Sequence, residues 1–374
     1  MEQMTVLSSK MYQRAIQVKT VSQAARILQE TGNMRTLGDI LRTHAKNENP
    51  KVFLVDKLSQ VTPELSRDSI DRKVRNWLNG RTTSVSKHDA YILSRILDLD
   101  LEQTDIFLKQ VTGEGIHWRN PEEIIWAYGI SQNIDCARIF ELHKKLAASG
   151  LKLSGKEKDT NHYTEQVRQK FQSLLCQSEE ELLQYLRQEW ASLGTFHNTA
   201  HELFKDYMEL LESGDTDNWL NDASKMTSGE VLESYLYRKI IPAGKNASAS
   251  LFSAMQRSVR ATWPDETTIS KMKHREIDVT RKVLILLFLA TDGSNTEYEE
   301  LDEDEDILTR DEIFLNTYTR LNRMLHACGF QMLDPRSPFD WIVLYSICAD
   351  EFWDIDQRMH DILQAIFPDG NDNQ

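Results

Sequence analysis

The chain has 374 residues, 44 Lys and Arg against 58 Asp and Glu, a formal net charge of -14, and 40% hydrophobic residues. That length suits two or three compact units or one long helical assembly, and the acidic balance argues against a chain that binds nucleic acid over its whole surface. The 4 cysteines form no Cys-x-x-Cys pair, which excludes a thiolate zinc site and a disulfide scaffold, and the longest apolar run, 283–290, is too short to span a bilayer. Met1 is not followed by a basic and then an apolar stretch, so a cytoplasmic location with no membrane partner is expected.

Only 15 Gly and 8 Pro favour helices. Segments 22–29, 37–44 and 52–60 read as helical, and Thr62-Pro63 breaks the pattern. Over 66–79, Ile70, Val74, Trp77 and Leu78 recur at helical spacing as a buried stripe, with Asp68, Arg72, Arg75 and Asn79 on the other side. Gly80 suits the stop, Ser84 or Ser86 the next cap, and Tyr91, Ile92, Ile96 and Leu99 the following apolar face. This stretch reverses the sign of the chain: Arg67, Arg72, Lys73, Arg75, Arg81 and Lys87 stand against Asp68 and Asp71.

A pattern then appears that occurs twice: Arg119-Asn120-Pro121 with Glu123, Ile125, Tyr128 and Ile130, and Arg336-Ser337-Pro338 with Asp340, Ile342, Tyr345 and Ile347. Asn or Ser suits the N-cap, Pro the first helical position, and a carboxylate at the third meets free N–H groups and the helix dipole. Each Arg is expected to pair with the carboxylate of the turn that follows it. Val85-Ser86-Lys87-His88 precedes the first copy and Val279-Thr280-Arg281-Lys282 the second, each leading into an apolar helix. Two correspondences in the same order indicate a duplicated module.

Between the copies, polar 154–161 reads as a linker, and 163–175, 179–193 and 199–211 as helices. Ser213-Gly214-Asp215 and Pro242-Ala243-Gly244 read as breaks. The second module carries Lys271, Lys273, His274, Arg275, Arg281 and Lys282 against Glu276 and Asp278, and the acidic run at 297–306 separates this basic segment from its Arg-Ser-Pro helix. No alternating strand pattern is evident. The expectation is an all-α fold with four regions: an N-terminal helical segment at 1–30, a first module at 31–150, a middle helical region at 151–250, and a degenerate second module at 251–374.

Catalytic patterns fail. His197 and His201 are spaced i, i+4 beside Glu202, yet a metalloprotease helix needs Glu where Asn198 stands. Gly244-Lys245 is followed by Asn246, so it is no phosphate loop, and neither a nucleophile elbow nor a dinucleotide fingerprint occurs. No catalytic, cofactor-binding or metal-binding residue is expected, and the chain reads as non-catalytic.

The stretch Val74-x-x-Trp77-x-x-Gly80-Arg81, followed by Ser86 and a helix ending at Leu97-x-Leu99, resembles a lambda-repressor-like, or Xre-type, helix-turn-helix domain, over roughly 37–108. The wider layout is similar to helix-turn-helix regulators of Firmicutes in which an Arg-Asn-Pro helix follows that domain. Val61-Thr62-Pro63 departs from the small residue and Gly usual in the family's turn, and Val85 stands near its usual Pro. The resemblance implies a DNA-binding transcriptional regulator whose recognition helix presents Arg72, Arg75 and Asn76 to base edges, with Arg67, Lys73, Arg81 and Lys87 available to phosphates. The alternative is a protein-interaction or scaffold protein of a mobile element or defence system, using the same helices on another chain or a second copy.

Overall fold

The structure is a computed structural model that describes residues 5–30, 32–45, 49–150, 169, 171, 178–213, 225–242, 252–291, 309–350 and 354–368. The linker at 154–161, the helix expected at 163–175 apart from Gln169 and Phe171, the Gly214 and Gly244 breaks and the acidic run at 297–306 lie outside them. The described residues form eighteen α-helices and no strand. In chain order these are α1 (Val6–Gln17), α2 (Val21–Gln29), α3 (Leu37–Ala45), α4 (Pro50–Val61), α5 (Arg67–Leu78), α6 (Lys87–Ile96), α7 (Leu101–Thr112), α8 (Pro121–Ser131), α9 (Cys136–Ala147), α10 (Glu179–Gln188), α11 (Asn198–Ser213), α12 (Ser228–Ser234), α13 (Ala254–Arg260), α14 (Glu266–Lys273), α15 (Arg281–Thr291), α16 (Arg310–Ala327), α17 (Pro338–Ile347) and α18 (Asp354–Ile366).

The fold is therefore all-α, as expected, but the division of the chain differs from the four consecutive regions read above. Its contacts separate two units, each discontinuous in sequence. The inner unit, named only for its place in the sequence, comprises 37–197 with the short return 329–331; the outer unit, which flanks it in sequence, comprises 1–36, 198–328 and 332–374. Chain breaks mark where helices stop, whereas units are set by where apolar faces find cover. In the outer unit α1 packs on α17 and α2 on α18, and the buried Trp341 indole donates to the Met11 carbonyl at 3.0 Å. In the inner unit the return segment makes an antiparallel bridge between Phe330 and Glu114.

The two helices of the repeated Arg-x-Pro pattern, α8 and α17, are the most enclosed in their units. In α8, Pro121 and every residue from Glu123 to Ile130 are buried, and in α17 every residue is. A helix apolar all round can only be central, so these helices organise the packing of their neighbours. The duplicated pattern recurs in three dimensions as a buried ion centre. Glu123 Oε2 accepts from the His117 backbone N–H and from the Tyr91 hydroxyl, each at 2.8 Å, while Oε1 lies 3.0 Å from Lys87 Nζ. Asp340 Oδ2 accepts from the Asp334 N–H at 2.9 Å, and both its oxygens take the Arg281 fork at 2.8 Å. In each copy the cation is the first residue of an apolar helix, α6 or α15. The carboxylate sits at the third position of the Pro helix and folds back onto the N–H of the loop before it.

This corrects the expectation for Arg119 and Arg336. The carboxylate of the following turn is taken by Lys87 or Arg281, and the arginines reach carbonyls of distant backbone instead: Arg119 Nη2 to Ser192 at 2.9 Å and Arg336 Nε to Asn33 at 3.4 Å. The caps differ too. Asn120 Oδ1 accepts from the Glu122 N–H at 3.1 Å, but Ser337 stands at the N-cap without a side-chain cap bond.

Candidate nucleic-acid interface

Helix α5 is built as the sequence pattern requires. Ser66 caps it, with the Ser69 N–H donating to Ser66 Oγ at 3.3 Å, and Ile70, Val74, Trp77 and Leu78 are buried in the inner core. It ends at Asn79, and Gly80 leaves the helix at φ 63°. Its C-terminus is fixed to α3 by Arg42, whose Nη2 donates to the Leu78 carbonyl at 2.7 Å. Gly38 permits that approach, since a Cβ there would lie 2.4 Å from the Leu78 oxygen. Trp77 is buried at 3% exposure, and the five residues between α4 and α5, Thr62-Pro63-Glu64-Leu65-Ser66, make a longer turn than the tight one of a helix-turn-helix.

The seven residues assigned to DNA separate into three groups. Arg72 and Arg81 are exposed, and their guanidinium groups meet no partner among the described residues. Asn76 lies between them, its backbone carbonyl accepting from the Arg81 and Thr82 N–H groups at 3.0 and 3.2 Å, which leaves its amide available. Arg67, Lys73 and Arg75 keep solvent-facing charge but are neutralised locally: Arg67 by Asp56, Lys73 by Asp89 at 2.6 Å, and Arg75 by Asp71 at 3.4 Å. Arg75, expected at a base edge, is thus paired within its own helix. Lys87 departs further, because it is turned inward onto Glu123 and Glu114. Burial works against its ammonium, yet the two carboxylates outweigh that and hold its pKa above the ordinary lysine value. Lys87 is a packing cation of the ion centre and not a phosphate contact.

Sequence reasoning missed Lys51. Its Nζ lies 2.7 Å from Asp71, placing an α4 cation beside the α5 face, and this bond holds the Asp71 carboxyl below the usual carboxylate range. The only signal in the sequence is that Lys51 falls opposite α5 once two antiparallel helices are assumed. In the second copy the matching helix is α14. Lys271 is exposed there, but Lys273 is bound to Glu212 and Ser228, and Arg275 to Asn198. Arg281 serves Asp340, and Lys282 is buried between Trp263 and Phe339 with its ammonium on the Val259 and Ala261 carbonyls. The basic residues of the second module are thus mostly consumed in packing.

The i, i+4 histidines, His197 and His201, are not presented by one helix, because His197 precedes the first residue of α11. His197 stacks on His117 with ring centroids 4.2 Å apart. Burial, reinforced by His197 and by the Lys87 and Arg119 charges, pushes His117 well below the ordinary imidazole pKa. The thiols of Cys136, Cys328 and Cys348 are buried and pushed up to about 11, 12 and 12, the reverse of what an activated nucleophile needs. No family model, no curated protein and no solved structure matches the chain.

Proposed function

We propose that the chain is a DNA-binding regulator that presents α5 to the major groove of a duplex. One observation carries this reading: Arg72 and Asn76 on the outer side of a capped, core-anchored helix, and Arg81 just beyond its C-terminus, have side chains that meet no partner among the described residues. Guanidinium forks suit guanine edges or phosphate, and an amide suits adenine. The neutralised ring of Arg67, Lys73 and Arg75 and the overall charge of -14 make the contact local, so affinity rests on few phosphates and a shallow salt dependence. Regulation is the role that such a compact, non-enzymatic contact serves.

A second reading, a protein-binding face on the same helix pair, is favoured by Val52 and Leu65, which are 49% and 41% exposed. Fluorescence anisotropy of labelled random-sequence and genomic duplexes against the full chain, at several salt concentrations, separates the two. Arg72→Ala with Arg81→Ala should weaken binding and flatten the slope of log affinity against log salt by about two if both contact phosphate. A chain that binds no duplex at low salt, or a double variant that binds as wild type, ends the DNA reading in favour of the protein-binding face.

A further inference from the structure

Both motif arginines make the same pair of backbone bonds. In the inner unit the Arg119 guanidinium donates to the Ser192 carbonyl at 2.9 Å, and the Gly194 N–H donates to the Arg119 carbonyl at 2.9 Å. In the outer unit Arg336 Nε donates to the Asn33 carbonyl at 3.4 Å, and the Arg35 N–H donates to the Arg336 carbonyl at 2.7 Å. In each case the arginine grips a carbonyl and the N–H two residues later, and the residue between is apolar and buried: Leu193 at 2% and Met34 at 7% exposure. Each gripped segment follows a short capped helix, α10 after Ser178 and α2 after Thr20. Those helices pack on equivalent elements, α10 on α9 and α2 on α18, the helices that follow the two Pro helices.

The sequence order of these parts is what makes the arrangement informative. The segment around Met34 immediately precedes α3, where the unit holding the first motif begins, and the segment around Leu193 immediately precedes α11, where the chain re-enters the unit holding the second. Yet 1–36 belongs to the unit that holds the second motif, and the segment to His197 belongs to the unit that holds the first. We infer that the chain is a fused, arm-exchanged double module: each repeat consists of an N-terminal arm and a body, and each arm is latched by the Arg-x-Pro helix of the other repeat's body. The interaction surface is the entry of that helix, and the partner it fits is a capped helix followed by a residue with a buried apolar side chain, recognised through its backbone. Recognition of this kind depends little on side-chain identity, which accounts for two arms of different sequence held by one geometry. An exchange of identical elements between two copies is also a low-cost route to a dimer, and joining two such copies end to end would leave this arrangement in one chain.

The test is amide hydrogen exchange on the full chain, with Arg119→Ala and Arg336→Ala made separately. Arg336→Ala should speed exchange at Arg35 and through α2 by about tenfold, the scale of one or two lost net hydrogen bonds, and leave 192–194 unchanged. Arg119→Ala should do the reverse, loosening Gly194 and α10 and sparing 33–35. Where an alanine variant does not fold, Arg→Lys at the same position keeps charge and one donor and serves for the same comparison. Loosening of the 33–35 segment by the Arg119 variant, or no response from either arm, overturns the exchange.

Discussion

Replacing Glu123 with Gln probes the centre on which the inner unit is organised. The carboxylate is 6% exposed and gathers the Lys87 ammonium, the Tyr91 hydroxyl, the His117 N–H and the Asn120 amide. Breaking one partner of a buried ion pair costs about 3–5 kcal/mol when the other charge is left alone. Here Lys87 keeps Glu114 at 3.3 Å, and the glutamine carbonyl still accepts from one or two of the donors. The loss should therefore be about 2–3 kcal/mol. Lys87→Met should cost a similar amount, while the double variant should fall well short of the sum, with a coupling of roughly 1–2 kcal/mol. Urea unfolding followed by tryptophan fluorescence at pH 7 reads all three, the inner unit reporting through Trp77, Trp118 and Trp126. A Glu123→Gln protein within about 0.5 kcal/mol of wild type, or single effects that simply add, would refute the argument that this pair holds α6 to α8.

Two further outcomes follow from geometry already given. Asn120→Ala should destabilise by about 1 kcal/mol and Ser337→Ala by less than about 0.5 kcal/mol, because only the first side chain caps its helix; equal losses in thermal unfolding would contradict this. His143 is held by burial, and secondarily by His88, at about 4 against an ordinary 6.5, so the unfolded chain binds its proton first as the pH falls. Its contribution to stability is then complete above about pH 6.5 and is lost as the pH falls through 4, on the order of 3 kcal/mol over that window. His143→Phe should flatten the fall in urea midpoint between pH 7 and 4.5, and an unchanged pH profile would count against a buried neutral imidazole.

Helix boundaries were the most legible part of the fold, because caps and breakers act locally. Gly80 and Asn120 function where the pattern placed them, Ser86 and not Ser84 caps α6, and the Ile70–Val74–Trp77 stripe is buried as its spacing demands. What the sequence concealed is pairing at a distance. Whether Arg75 faces a base edge or Asp71, and whether Lys87 points to solvent or to Glu123, depends on neighbours that only assembly brings together. The same holds for Arg119 and Arg336: their repetition was visible, but their targets are backbone carbonyls, and a carbonyl leaves no mark in the sequence.

The outer unit also imposes an order on synthesis. Its helices α1 and α2 leave the ribosome ahead of the other described helices, carrying the apolar contact residues Met11, Ala15, Ala24, Ile27 and Leu28. Their cover, α17 and α18, is among the last of the described helices to emerge. At roughly 5–20 residues per second, the arm waits on the order of tens of seconds before it can be buried. The inner body, α3 to α9, meets no such delay and can begin to pack while the second half is still being made. The waiting helices are suited to the interval, being short and polar on their other faces through residues such as Lys10, Gln13, Ser22 and Arg26, so the apolar surface offered to passing chains is small. A substitution that widened that stripe would act first in the nascent chain, as lost yield, before any change appeared in the finished protein.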